Sequence, residues 1–555
     1  MKRSNVIELT VLLGLVSIAI FFRAYLNNSG IEQRVFVRHD EMHYVEEVIR
    51  YHQGDWSPHY FLNPTFFAIL LYTVSVLIGG VMVLFGSHAS FADYTREVTS
   101  SPYLITMIGR CLSLCLSVGA ILLLYLIGKR LFTRRVALVA AMALAVDMTH
   151  ARQAAITGNH SCMVFLVLLF FLCLLGYREN ATAFRHAACG FLLGLAVATK
   201  YNAAIMIVPL AFASVICARQ QLGDGDGILH YIKAKYSAGY VCVLIGFLAG
   251  FPLVVAHFDG FMEGLEALTR FRQEGWTTSA ASTGRAWTHF LAYFRRMDGI
   301  AFSVLCGMGI LAAAYRAFAR RDIRCAILLA AIVPLCLFLG AGRVTGDRYL
   351  LPVIPFVCLL GAWALDGSLN LVLGRWWARQ PAAALKWRQT VGTLLLGLAI
   401  LTPHALATRH NMELRYGRVD SRKELAVWAE ANLDPRETYW ELSHPRFLSP
   451  FYDASRLGRV YPPRSWWLPN LIQKSDSLEA LAQNIRRSRK TSILIVMTSV
   501  HFKNLRDLPR RMRTPGVKNC KYWMEVVRAL SALTPAREFE ASDGLIRVVL
   551  YDLSK

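Results

Sequence analysis

Acidic residues are scarce in this chain. Its 555 residues hold 37 Asp and Glu against 60 Lys and Arg, a formal charge of +23. Nucleic acid would be one partner for such an excess. Up to about Arg388, however, most basic residues sit in short loops between apolar runs. That is the pattern of positive-inside topology and of anionic lipid headgroups, so no nucleic-acid partner is read here. Charge of either sign is also thin, at 17%, while 55% of the residues are hydrophobic and the mean hydropathy is +0.39. Soluble multidomain proteins sit at about 45–50% apolar even with Gly counted, so that class is excluded. There is no CxxC pair, and of the 12 cysteines only Cys520 lies away from apolar segments. A disulfide framework and a thiolate metal site are therefore excluded, and the thiols act as small hydrophobes. The basic start at Met1 lacks a small-residue cleavage site, so Met1 to Phe22 reads as a retained first span. No fixed-period repeat occurs either.

What is present is a series of long apolar runs. By the criterion of about 20 residues per span there are roughly eleven. They are Val6–Phe22, Tyr103–Ile127, Val136–Met148, Ser161–Tyr177, Ala187–Thr199, Ala203–Cys217, Ala238–His257, Ile300–Ala317, Ala326–Gly340, Leu350–Leu365 and Val391–Leu406. A further run, Pro64–Gly86, is long enough to cross, and charge bias decides its treatment. If it lies at the outer surface or re-enters, and the N-terminus is cytoplasmic, the loops bearing Lys129, Arg130, Arg134 and Arg135 fall inside. So do those bearing Arg178 and Arg185, Arg219, Lys233 and Lys235, Arg316 to Arg324, and Arg375 to Arg388. A crossing there would reverse all of them, against the positive-inside rule.

This topology predicts a mainly α, polytopic helix bundle over 1–406, with extracytoplasmic loops at 27–102 and 258–299. Shorter outer turns fall at Thr149–His160, Lys200–Tyr201 and Ala341–Arg348. From about Ala407 the composition changes. Ser421 to Glu424 reads as a capping box before Ala426 and Trp428, and Asp434–Pro435 stops that helix. Thr491–Val500 and Leu545–Leu553 read as buried strands, with an amphipathic helix at Leu478–Arg487. Residues 407–555 are thus expected to form a small extracytoplasmic α/β domain.

The polar residues able to do chemistry gather on the outer side. Asp40 and Glu41 follow the first span, in Arg38–His39–Asp40–Glu41–Met42–His43–Tyr44. One acid of such a pair can take a proton from an attacking hydroxyl while the other orients it, and like charges raise one pKa toward neutrality. The plainer reading is a helix N-terminus whose acids offset the dipole. Lys200 ends an apolar helix and stands between two spans beside Tyr201, where a lipid phosphate would be a suitable partner. Snorkelling to the interface is the plainer account. Arg343, Asp347, Arg348 and Tyr349 form a similar outer cluster, and a guanidinium fork suits a phosphate. An Asp347–Arg pair with no substrate role is the alternative. Arg110 lies inside an apolar run, where a cation needs a cavity or a partner. Arg152, in the turn Asp147–Arg152, is a weaker candidate, and His43 and Tyr44 are candidate substrate contacts. Cations near a departing phosphate would stabilise its negative charge without a proton donor. Asp40 would deprotonate an acceptor attacking from the opposite face, which inverts the anomeric centre.

Taken in order, these motifs resemble the GT-C membrane glycosyltransferases, in particular the group holding the protein O-mannosyltransferases and the lipid A aminoarabinose transferase. The likeness rests on Asp40–Glu41, Asn63–Pro64–Thr65–Phe66, Ile108–Gly109–Arg110–Cys111–Leu112, Thr199–Lys200–Tyr201, and Asp347–Arg348–Tyr349–Leu350–Leu351–Pro352. Asp420–Ser421–Arg422, Trp428 and Asn432–Leu433–Asp434–Pro435 continue it, so that it covers about Met1 to Pro435. The resemblance implies Asp40 as base with Glu41 assisting, and Arg110, Lys200 and Arg348 near the carrier phosphate. It further implies a polyprenyl-phosphate-sugar donor, a hydroxyl acceptor (protein, lipid or glycan) and hexosyl or pentosyl transfer. The chain departs from the family at Asn63–Pro64, often Pro-Pro there, and at Asp147, near which a Pro is common. Asn159–His160 stands where an Asp often follows the second outer turn, which puts a second catalytic carboxylate in doubt.

Two rivals compete. An oligosaccharyltransferase-like enzyme would use a lipid pyrophosphate and a divalent metal, and would carry Trp-Trp-Asp. Here Trp466–Trp467 is followed by Leu468. A transporter or flippase would predict paired repeats and ionisable groups near the bilayer midplane, and neither is evident. No cofactor is called for, no metal ligands are assigned, and a divalent metal is compatible with these residues without being indicated by them.

Overall fold

The computed structural model describes residues 3–24, 39–100, 102–222, 227–274, 286–288, 290, 293, 299–343, 346–377 and 382–416. Beyond these it describes 438–443, 464–467, 483, 493–499, 535–539 and 546–552. Helix α1 is Arg3–Ala24, α2 His39–His52, α3 Phe66–Leu84, α4 Phe91–Ser100, α5 Pro102–Leu131 and α6 Arg134–Val146. They are followed by α7 Met148–Ala154, α8 Asn159–Glu179, α9 Ala183–Thr199, α10 Ile207–Leu222, α11 Ile228–Gly250 and α12 Phe258–Glu274. The last four are α13 Gly299–Ala319, α14 Ile323–Gly340, α15 Ile354–Trp377 and α16 Ala382–Tyr416. Short 3₁₀ turns at Tyr201–Met206 and Asp347–Leu350 precede α10 and α15.

Among the described residues, eight helices are long and apolar enough to cross a bilayer, fewer than the roughly eleven expected. Thr10–Arg23, Ala183–Thr199 and Tyr236–Gly250 are apolar but shorter. The chain is an integral, multi-pass membrane protein. The expected span Val136–Met148 needs correction. Helix α6 stops at Val146 because Asp147 adopts an extended backbone and its carboxylate accepts the N–H of His150 at 2.6 Å, which caps α7. The 13 residues of α6 reach only ~20 Å, short of a hydrocarbon core of ~30 Å. The continuous span is therefore a broken helix. The expected span Ala238–His257 also moves: α11 ends at Gly250, and Pro252 opens a 3₁₀ turn. Helix α3 satisfies the crossing criterion as well. Helices α2 and α4 hold its middle, where the Ser75 hydroxyl bonds Tyr94 Oη at 2.7 Å and His52 Nε2 at 3.0 Å.

Local chemistry sets the helix ends. Thr133 accepts from the Val136 amide, Thr182 from Arg185 and Asp322 from Arg324, and Pro102 starts α5 where no amide bond is lost. Helices α9 and α11 touch backbone to backbone. A Cβ on Gly190 would stand 1.8 Å from the Gly239 carbonyl, so only glycine fits that crossing. Apolar side chains such as Leu77, Leu84, Phe184, Phe318 and Leu371 lie exposed on the bundle surface, as expected of a lipid-facing exterior.

The basic ends of α5, α6, α8, α9, α14 and α15 meet at one pole. There Arg324 donates to the Leu131 carbonyl, Arg130 to that of Leu172 and Arg185 to that of Gly176, and Arg135 pairs with Asp366. The opposite ends of α5, α8 and α9 meet α2 at the other pole, where the cavity described below opens.

The tail contains five strands, β1 Thr438–Ser443, β2 Arg464–Trp467, β3 Ile493–Ser499, β4 Pro535–Phe539 and β5 Ile546–Asp552. They form one mixed sheet in the order β2-β1-β3-β5-β4, parallel on its first half and antiparallel on its second. Strands β3 and β5 fall within the two segments read as strands. The capping box at Ser421 and nearly all of Leu478–Arg487 lie outside the described residues.

Candidate active site

The chain turns sharply at Lys200. Helix α9 closes on Thr199, Lys200 takes an extended backbone (φ −158°), and the 3₁₀ turn Tyr201–Met206 sends the chain back into α10. This leaves the ammonium at the bundle end, where Lys200 Nζ lies 3.3 Å from His160 Nε2 in the first turn of α8. Neighbouring contacts fix that turn. Asn159 Nδ2 donates to Thr199 O at 2.9 Å and to Asn63 Oδ1 at 3.2 Å, and Tyr201 Oη donates to Phe61 O at 3.1 Å. The second 3₁₀ turn brings Arg348 and Tyr349 to the same place. Lys200 Nζ and Arg348 Cζ each stand 5.5 Å from the centroid of the Tyr349 ring. Two cations around one aromatic ring make a cation–π arrangement, and it gathers positive charge near Tyr349.

That ring is on the wall of a cavity of about 430 Å³, within the range of small-molecule sites. Its lining includes polar residues, among them Gln153, Thr157, Asn159, His160, Lys200 and Arg348, and apolar ones from α12, the tip of α14 and the turn before α10. Helix α12 contributes Leu265, Leu268, Thr269 and Arg272, a spacing that lines one helix face. Arg272 anchors this roof: its guanidinium stacks on Phe338 at 4.0 Å and donates to the Phe338 carbonyl at 3.2 Å.

The predicted residues divide. Lys200, Tyr201, Arg348, Tyr349 and Tyr44 line the cavity. Arg110 and Glu41 do not. Both side chains are fully enclosed and pair with each other, Arg110 Nε to Glu41 Oε1 at 2.6 Å and Nη2 to Oε2 at 2.9 Å. The Thr157 amide adds a third bond to Glu41 Oε1 at 3.0 Å. Arg110 thus meets in a carboxylate the partner that its apolar surroundings demand. Asp40 belongs to the first turn of α2, one turn before Tyr44, and its side chain is outside the described residues. His43 stacks on Tyr60, a cavity residue, with centroids 4.1 Å apart. Arg152, Arg343 and Asp347 lie off the cavity lining; Arg343 is exposed and its amide bonds the Arg272 carbonyl.

Sequence reasoning missed two features. Arg272 carries a cation to the cavity roof, and the i, i+3, i+4, i+7 pattern of Leu265 to Arg272 was the available signal. The other is a buried network behind the site. Arg23, wholly enclosed at the end of α1, donates to Ser117 Oγ at 2.8 Å and to the Ala145 carbonyl at 2.8 Å, and approaches His150 Nδ1 at 2.8 Å. Tyr293 donates to Asp147 at 3.2 Å beside it. Among the described residues, no group of three or more His, Cys, Asp or Glu converges as metal ligands would.

Known proteins resemble parts or all of this chain. Residues 107–248 match the family model described as dolichyl-phosphate-mannose-protein mannosyltransferase. The stretch runs from α5 into α11 and includes Arg110, His160 and Lys200. The crystal structure of ArnT from Cupriavidus metallidurans in the apo state is similar over 99% of this chain and 98% of that one, with 13% identity and a TM-score of 0.53. The same protein bound to undecaprenyl phosphate matches over 97% of both chains, at 15% identity and a TM-score of 0.50. The archaeal oligosaccharyltransferase AglB from Archaeoglobus fulgidus, in complex with an inhibitory peptide and a dolichol-phosphate, matches 92% of this chain and 71% of its own. Its identity is 16% and its TM-score 0.52. No curated protein sequence matches the chain. The fold is that of ArnT and AglB. The order of short motifs in the sequence resembles the GT-C membrane glycosyltransferases, although no single motif there is specific.

Proposed function

We propose that this protein transfers a sugar from a polyprenyl-phosphate carrier to a hydroxyl acceptor at the extracytoplasmic face of the membrane. One observation carries the reading: Lys200 and Arg348, from turns almost 150 residues apart, converge on the Tyr349 ring at the wall of a cavity whose lining also holds apolar Ile205, Leu265, Leu268 and Leu339. A lipid phosphate has matching halves, an anionic head and a hydrocarbon tail. The ArnT likeness, with undecaprenyl phosphate in one of its structures, supports the same assignment.

In this mechanism the acceptor oxygen attacks the anomeric carbon as the bond from that carbon to the phosphate oxygen breaks. The electron pair leaves with the carrier phosphate, whose charge rises, and Lys200 and Arg348 stabilise it electrostatically. The hydroxyl proton passes to Asp40, the general base. Glu41 serves by position: held by Arg110 and the Thr157 amide, it anchors the first turn of α2 on which Asp40 sits. A single displacement inverts the anomeric centre. The N-terminus is cytoplasmic in this reading. The basic pole of the bundle then faces inward by the positive-inside rule, and the tail sheet lies outside.

The AglB match favours a second reading, an oligosaccharyltransferase-like enzyme acting on a lipid pyrophosphate. Trp466–Trp467–Leu468 lacks the acid which that group carries, and the first reading is preferred. Turnover with labelled lipid-phosphate and lipid-pyrophosphate sugars tests both. We expect transfer from the monophosphate carrier, with inversion at the product anomer and loss of transfer in Asp40→Asn. Parent-rate transfer by well-folded Asp40→Asn removes Asp40 as base. Transfer only from the pyrophosphate, abolished by chelation, selects the second reading.

A further inference from the structure

Two carboxamides on the cavity wall are unusual because they hold buried atoms with no hydrogen-bond partner among the described residues. Gln153 is 4% exposed and its Oε1 is buried with no hydrogen-bond partner among the described residues. Asn202 also lines the cavity, and both its Oδ1 and its Nδ2 are in the same condition. Two other carboxamides on this wall differ: Asn159 and Asn63 bond each other, and Asn159 also bonds the Thr199 carbonyl. Buried polar groups are nearly always satisfied, so exceptions that face a cavity point to a ligand.

The chemistry of these atoms narrows the ligand. A carboxamide offers an acceptor and a donor side by side, and neighbouring sugar hydroxyls offer the reverse pattern. Gln153 Oε1 adds one further acceptor for a hydroxyl. Around them stand three cations, Lys200, Arg272 and Arg348, and the described lining includes no Asp or Glu. The one carboxylate that the transferase reading brings here, Asp40, is committed to the acceptor hydroxyl. An ammonium on the sugar would face these cations with no carboxylate in the described lining to pair with it.

The geometry points to Gln153 and Asn202 as the sugar-reading residues, taking the uncharged, hydroxylated glycosyl group of the donor, a neutral hexosyl group in preference to an amino sugar. The inference rests on the transferase reading above, and its test separates the two.

The full-length protein in lipid nanodiscs is titrated with four probes: a short-chain polyprenyl phosphate, the same carrier bearing a neutral hexose, the carrier bearing an amino sugar, and a free alkyl hexoside. The parent is expected to bind the hexose-bearing carrier about tenfold tighter than the bare or amino-sugar carrier, the scale of one or two buried hydrogen bonds. Asn202→Ala and Gln153→Ala are expected to lose that gain while binding the bare carrier as the parent does. The near-isosteric Asn202→Asp guards against misfolding and is expected to improve binding of the amino-sugar carrier. Equal binding of all carriers by the parent overturns the inference, as does a loss of bare-carrier binding equal to the loss of hexose-carrier binding. A variant weakened only toward the alkyl hexoside overturns the donor assignment in favour of the acceptor. If no lipid phosphate binds at all, the transferase reading itself falls, and this inference with it.

Discussion

Two cationic sites lie at one pole of the bundle, and they are built on opposite principles. At Arg110 the guanidinium is enclosed and both arms of its fork are held by Glu41, with the Thr157 amide closing the set. At Lys200 and Arg348 the cations stand against an aromatic face on a cavity whose described lining includes no carboxylate. The first site is complete within the protein and ties α2 to α5. The second lines a cavity that a ligand can enter. Charge at one pole therefore serves architecture at Arg110, and under the proposed function it would serve recognition at Lys200 and Arg348.

The comparison breaks if the two sites respond alike to removal. Arg110→Leu strands the Glu41 carboxylate in a dry interior, where breaking a buried pair costs about 3–5 kcal/mol. We expect poor yield and a large fall in the unfolding midpoint, measured in detergent by intrinsic fluorescence. Replacing both members, Glu41→Leu with Arg110→Leu, should recover much of the loss, because no charge is then left unpaired. Lys200→Met and Arg348→Met should behave in the opposite way. Their unfolding midpoints are expected to stay near that of the parent, while turnover with a lipid-phosphate sugar falls by about 10²-fold or more, the scale of losing one preorganised charge at a developing anion. Equal destabilisation in both sets would make the cavity cluster architectural too.

The two sites were also unequally legible in the sequence. Lys200 and Arg348 were visible because each interrupts an apolar pattern at the end of a span, on the side where the expected topology gives a cation no reason to be. Glu41 was read as assisting Asp40 or as an acid offsetting a helix dipole, and its buried pairing with Arg110 was not foreseen because adjacency in sequence says nothing about direction on a helix. The signal was present nevertheless: Glu41, Val45, Val48 and Ile49 follow the helical period and are all fully buried. Asp147 shows a different limit. Its run is apolar enough for a span, but a side-chain oxygen that can cap a helix divides it into α6 and α7. Arg23 was invisible for a third reason. Its partners Ser117, Ala145 and His150 come from three separate elements, and no local pattern encodes such a meeting.

Glu47 sharpens the comparison at an intermediate scale. It lies on α2 like Glu41 and is 8% exposed, but in place of a bidentate guanidinium it has one amide bond, from His59 at 3.0 Å. Burial pushes its carboxyl up to about 7, with the His59 amide and the Arg50 charge offsetting only part of the rise. The folded protein therefore holds this proton more tightly than the unfolded chain. The contribution is fully present below the unfolded value of about 4.5 and is lost as pH rises through about 7, by at most roughly 3 kcal/mol. Unfolding midpoints taken from pH 5 to pH 8 should fall more steeply for the parent than for Glu47→Gln, which cannot ionise. Identical slopes would mean that the carboxylate is solvated after all.

The smallest effect is expected from a pair with the charges of the buried fork and almost none of its burial. Arg96 and Asp93 on α4 meet at 2.9 Å, the same separation as Arg110 Nη2 and Glu41 Oε2, but their side chains are 77% and 37% exposed. Water already solvates both ions, so the attraction is weak and is screened further by salt. Arg96→Ala should leave the unfolding midpoint and the turnover of the parent unchanged at physiological ionic strength, and raising the salt should not separate the two proteins. A loss approaching that of Arg110→Leu would show that contact distance, rather than the water excluded around it, governs what a charge pair contributes in this bundle.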